Sequence, residues 1–257
     1  MSPELFAVTP RGAGVVSIRI ADDTEPYLGP GWTDAFERSL ARAGEDCGIR
    51  AVVLEGGDRY FQAGASRDAL LQSDGVGAAA SHGAAALRAL LALPVPVVAA
   101  AAGHAIGGGL LVALWCDAIV LGEESLYGAN FMALGFTPGM GATHAVPEAF
   151  GPFLGRELLW TGRLLTGREI RAASCPLSHA VRPRAQVIDH ALMHAREIAD
   201  AARGTIVLLK RQLAADRREA LERALRAEAT AHATLHADPV TAAEIVRRYP
   251  TAPMGRE

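Results

Sequence analysis

Two glycine-bearing turns carry the first sign of chemistry in this 257-residue chain. In "GHAIGGGLLVAL", Gly107, Gly108 and Gly109 follow the apolar run "PVPVVAAAA" and precede a helical pattern. Glycine there allows close backbone approach, and a helix start leaves N–H groups without partners. In "FQAGASRDALL" (Phe61–Leu71) a second small-residue turn follows the run "AVVLEGG". Two such turns side by side offer two main-chain amides to one oxygen, which stabilises a carbonyl as it becomes an oxyanion. A triple glycine alone also serves plain helix-on-sheet packing. A dinucleotide fingerprint would need G-x-G-x-x-G and an acidic residue after the next strand, and the spacing does not supply it.

A third stretch, "YGANFMALGFTPGMGATHAVPEAFG" (Tyr127–Gly151), holds no acidic residue before Glu148. It offers a wall rather than an acid or base. Among the remaining polar residues, His104 reads as a buried hydrogen-bonding group, and Asp117 and Tyr127 as ties at strand ends. His144, His179, His190 and His194 have no metal-ligand spacing.

These turns need elements to hold them. "VVSIRI" (Val15–Ile20) alternates with period two, and "IRAVVLEGG" and "PVPVVAAAAGH" are β-branched apolar runs ending in glycine, as strands buried on both faces are. "DAIVLGEESLYG" reads as one more strand. "WTDAFERSLARAGED" and "HGAAALRALLAL" have helical spacing between them, so the class is α/β with largely parallel strands. "QSDGVGAAASHGAAA" (Gln72–Ala86) reads as a mobile loop feeding a helix. Beyond Gly151 the pattern is helical only, with a soft boundary at residues 195–205 and no internal repeat.

Composition narrows the class. Half the residues are hydrophobic and the net charge is −3, which gives no footprint for nucleic acid. No uninterrupted run of about 18 apolar residues suggests a membrane span, and no secretory signal is visible at the start. The three cysteines, Cys47, Cys116 and Cys175, fit neither a metal site nor a disulfide framework. A cytoplasmic protein is expected. Of the 25 basic residues only Lys210 is a lysine.

"FQAGAS", "PVPVVAAAAGHAIGGGLLVALWCDAIV" and "YGANFMALGFTPGMGAT" together resemble the crotonase (enoyl-CoA hydratase/isomerase) superfamily, from about residue 15 to the C-terminus. The resemblance implies a crotonase spiral of repeated β-β-α units over residues 1–200 and a helical region at 201–257 capping the active site. It assigns the oxyanion-holding amides to Ala65 and Gly108. Hydratases of the superfamily carry two glutamates, and their places here fall on Leu111 and Phe131. Loss of both acids removes the acid/base pair that hydration needs.

"ANFMALGFTPGMGAT" resembles more specifically the second crotonase-like enzyme of polyketide β-branching cassettes. That resemblance implies decarboxylation of a 3-methylglutaconyl group on acyl carrier protein to 3-methylcrotonyl. The alternatives are a dehydratase, or dehydratase/decarboxylase, acting on a 3-hydroxy-3-methylglutaryl thioester, or a non-catalytic acyl-binding protein. It implies no metal or redox cofactor, substrate carried on phosphopantetheine entering beside Ala63, Gly64 and Ala65, and a homotrimer or dimer of trimers. It places the proton donor at His232, with Glu228 four residues earlier on the same helix face to orient it and His236 as rival. Related decarboxylases use a lysine in the loop after "GAS". Residues 67–86 hold none, so His82 is its expected substitute, ahead of Arg67, Ser73 and Ser81. Arg67, Gly107, Leu111, Asn130, Phe131 and Phe136 complete the expected substrate contacts.

Overall fold

The computed structural model describes residues 5–20, 27–72, 75–236 and 239–249. In chain order the elements are β1 (Phe6–Gly12), β2 (Val15–Ile20), α1 (Pro30–Glu45), β3 (Ala51–Glu55), β4 (Tyr60–Gln62), α2 (Arg67–Leu70) and α3 (Gly75–Ala92). Next come β5 (Val97–Ala101), β6 (His104–Ile106), α4 (Gly108–Leu114), β7 (Ala118–Gly122), β8 (Leu126–Gly128), α5 (Ala142–Phe150) and α6 (Pro152–Thr161). The chain continues through β9 (Leu165–Thr166), α7 (Gly167–Ala172), β10 (Val181–Arg182), α8 (Val187–Ala199), α9 (Arg203–His236) and α10 (Pro239–Arg248).

Two sheets organise them. The larger has the order β1-β2-β3-β5-β7-β10 and the smaller β4-β6-β8-β9. All pairings are parallel except β1 with β2 and β8 with β9. Strands β3, β5 and β7 each lie in the large sheet and are followed at once by a partner, β4, β6 or β8, in the small one. A helix then returns the chain: this is the β-β-α spiral. The repeat lives in the topology; the side chains do not repeat, which is why the sequence shows none.

Both faces of the large sheet are covered, so its strands are apolar throughout. Val53, Val98 and Val120 pack under Val187, Ala191 and Ala195 of α8. Val52, Leu54, Val97 and Ala99 point the other way into the main core with Phe36, Leu87 and Leu90. Tyr127 and Asp117 tie the strand ends, as expected: Tyr127 Oη donates to Ala101 O at 2.6 Å and Asp117 Oδ2 accepts from Val97 N at 2.8 Å.

Three expectations are corrected, and one strand was not anticipated. "DAIVLGEESLYG" forms two strands, because the chain leaves one sheet for the other at Glu123–Ser125. Strand pairing continues past Gly151 in β9 and β10. β1 adds an antiparallel edge strand whose largely exposed side chains leave no apolar alternation to read. The stretch from Gly75 to Ala86 is helical, not a loop, since Gly83, Ala84 and Ala86 are small enough for α3 to bury itself.

Candidate active site

A cavity of about 360 Å³ opens where the turns after β4 and β6 meet. The turn after β4 is fixed by its neighbours. Gly64 N–H is held by Gln62 Oε1, and Gly64 O accepts from Leu28 N at 2.8 Å. Gly64 sits at φ +79, where a side chain would be strained, and a Cβ on it would lie 2.9 Å from Ile106 O and 3.2 Å from Gly108 N. The two turns are therefore in contact. Gly109 is fixed by proximity instead: a Cβ there would meet Gln62 O.

Ala65 and Gly108 both line the cavity. Among the described residues neither amide donates to a protein acceptor. Each N–H belongs to a peptide whose own carbonyl is bonded, Gly64 O to Leu28 N and Gly107 O to Leu110 N at 3.1 Å. That bonding holds the peptide planes and polarises them.

Of the expected site residues, Ala63, Gly64, Arg67, Gly107, Asn130, Phe131, Phe136 and His232 also line the cavity. Two do not. His82 is off the wall: α3 presents Val76, Ala79 and Ala80 to it, and position 82 lies roughly a third of a turn away on a 3.6-residue helix. Leu111 is wholly buried in the main core, where an apolar side chain packs better than at the cavity edge. Ser81 is exposed and absent from the wall; Ser73 and the side chain of His236 lie outside the described residues.

Arg67 opens α2 behind the cap Ser66, whose Oγ accepts from Ala69 N at 3.2 Å. Its Nε is buried with no partner among the described residues. His232 is 6 % exposed, and its Nε2 lies 3.1 Å from both Thr137 O and Pro138 O. Glu228 does not bond the ring as expected. Its carboxylate instead takes the Gly141 and Thr143 amides and the Thr143 hydroxyl at the start of α5.

Sequence reasoning missed the aromatic side of the cavity: Tyr27, Tyr60 and Tyr249 line it with Leu28, Leu134 and Met140. Tyr249 Oη donates to Ala65 O at 2.9 Å, and burial pushes its phenol well above the usual range. Nothing in the local pattern of "RRYP" points there. Among the described residues no cluster of His, Cys, Asp or Glu could hold a metal, and no helix is long and apolar enough to cross a membrane.

A two-sheet β-β-α spiral whose turns after β4 and β6 meet at one cavity defines a crotonase fold. The enoyl-CoA hydratase/isomerase family model matches residues 11–244, and the chain belongs to that enzyme family. Bacillaene synthase decarboxylase PksI of Bacillus subtilis is 38% identical over 231 residues, covering 89% of this chain and 91% of that protein. The ECH2 decarboxylase domain of CurF from Lyngbya majuscula superposes with TM-score 0.86 at 28% identity, over 96% of this chain and all of that one. A structure described as a dehydratase/decarboxylase enzyme couple involved in polyketide beta-branching superposes with TM-score 0.89 at 30% identity, over 96% of this chain and 100% of that one.

Proposed function

We propose that the chain decarboxylates a 3-methylglutaconyl-type thioester on acyl carrier protein to a 3-methylcrotonyl-type product, in polyketide β-branching. The observation that carries this reading is the pairing of the unbonded Ala65 and Gly108 amides in a cavity whose wall holds Phe131, in the place of a hydratase glutamate. The bond from the distal carboxylate to its carbon breaks, CO₂ leaves, and the electron pair passes through the alkene onto the thioester carbonyl. The two amides hold the resulting dienolate, at about 3 kcal/mol per donor. His232 then returns a proton to carbon. The thioester is itself the electron sink, so the step draws on no metal or redox group.

Arg67 takes the place of the missing lysine. Among the described residues that line the cavity it is the one with a permanent positive charge, and the chain's one lysine is engaged elsewhere with Asp117. Its guanidinium holds the carboxylate until CO₂ departs. Ala63 and Ala65 line the entry for the phosphopantetheine arm. Dehydration of a 3-hydroxy-3-methylglutaryl thioester is disfavoured by the apolar residues at 111 and 131. Exposed Phe153 (84 %) and Trp160 (74 %) on α6 suit burial between subunits, in keeping with a trimer.

Intact-protein mass spectrometry of a 3-methylglutaconyl carrier protein tests the reading. Loss of the mass of CO₂ on adding enzyme is expected; an unchanged acyl group, or loss of water alone from the hydroxylated precursor, overturns it.

A further inference from the structure

One buried carboxylate has no part in that chemistry. Glu228 is 4 % exposed. Its oxygens accept from Gly141 N at 2.8 Å, Thr143 N at 3.0 Å and Thr143 Oγ1 at 2.8 Å. Those donors begin α5, whose N-cap position is a glycine with no side chain to offer. Burial holds the Glu228 carboxyl above its usual range and these bonds offset part of that rise; each oxygen faces a backbone N–H that requires an acceptor.

His232, one turn later on α9, grips the other end of the same segment. Thr137 O and Pro138 O can only accept, so Nε2 carries its hydrogen in the neutral ring as well as in the cation. Between the two grips Met140 stands at φ +59, a left-handed backbone strained for a residue with a side chain. Its carbonyl is tied by Trp115 Nε1 at 3.1 Å. Its Sδ lies 2.7 Å from where a Cβ on Gly108 would be, so the segment's shape sets the wall beside an oxyanion amide.

We propose that Glu228 is a positioning residue. Through the Thr137–Thr143 turn it commits Nε2 of His232 to the backbone and makes Nδ1 the nitrogen that exchanges a proton with substrate. Without the carboxylate, the Gly141 and Thr143 amides lose their acceptor and the strained turn relaxes. The Thr137 and Pro138 carbonyls then leave Nε2, and the ring is free to take either tautomer. The catalytic consequence rests on the decarboxylase reading; the state of the ring does not.

The test labels histidine with ¹⁵N and reads ring nitrogens by long-range proton correlation, with His232 assigned from its loss in His232→Gln. The wild-type neutral ring is expected to carry its proton on Nε2. Glu228→Gln sets an amide NH₂ against backbone donors, and is expected to show both tautomers. Gly141 and Thr143 amide exchange should quicken about tenfold or more, and kcat fall about tenfold to a hundredfold with KM little changed. A wild-type ring protonated on Nδ1, or a folded Glu228→Gln that keeps the single Nε2–H tautomer, overturns the proposal. Should Glu228→Gln not fold, Thr143→Val removes the hydroxyl bond alone; a partial tautomer mixture supports the proposal and an unchanged ring overturns it. If wild type leaves the thioester intact, the decarboxylase reading fails, while the ring and exchange measurements still decide the role of Glu228.

Discussion

The two halves of α9 bury titratable side chains in opposite ways. Near its start, Lys210 is 4 % exposed and donates to both oxygens of Asp117, at 2.9 and 2.7 Å, with Arg217 adding a bond at 3.1 Å. There, opposite charges meet directly, and backbone bonds from Val97 N to Asp117 and from Lys210 to Leu90 O add to the network. Near its end, Glu228 and His232 are satisfied by the backbone of one turn. A mutual ion network leaves nothing over for chemistry. Backbone partners can hold one nitrogen of an imidazole and leave the other to work.

The largest effect that would break this contrast is at the first half. Lys210→Met strips the buried Asp117 carboxylate of one of its two cationic partners and should cost about 3 kcal/mol in urea unfolding. The folded fraction should keep its kcat, and a large loss of kcat would show that the anchor also shapes the site. His232→Ala should do the reverse, cutting kcat about a hundredfold or more with a modest change in unfolding.

Arg67→Gln comes next. It removes the cation with no fixed partner among the described residues, and should slow decarboxylation about tenfold or more, while Arg67→Lys recovers part of the loss. Wild-type rates in both would reassign the carboxylate's cation. The smallest effect uses His104, whose Nδ1 accepts from Leu126 N at 3.0 Å. Protonation there breaks a bond, whereas at His232 it breaks none. Burial, then Arg184 and Arg59, hold the His104 pKa below its usual value. Between that lowered value and about 6.5 the unfolded chain binds more protons, so stability falls as pH drops through the window. The thermal midpoint should follow, and His104→Gln should flatten the slope.

Much of the frame was legible because its signals are local. "VVSIRI" gave a strand with the observed ends, and the glycine turns were visible after apolar strands; it took the family resemblance to single out Ala65 and Gly108, which both line the cavity. The failures share a cause: distance along the chain is not direction in space. His82 sits near the turn in sequence but on the wrong side of α3. Leu111 occupies a catalytic place in the family yet joins the core once it is apolar. Tyr249 reaches Ala65 from 184 residues away, and Glu228 finds its donors 85 and 87 residues back; no local pattern encodes such meetings. β9 and β10, two residues each, exist only because folding brings a partner strand alongside.

Placing the chain's single lysine in a sealed ion network has a practical outcome. Among side chains, the folded protein presents no amine to an activated ester, an acetyl donor or an aldehyde-coated support. Modification at that side chain will report unfolding rather than surface topography, since the lysine reacts only when α9 lifts away from Asp117.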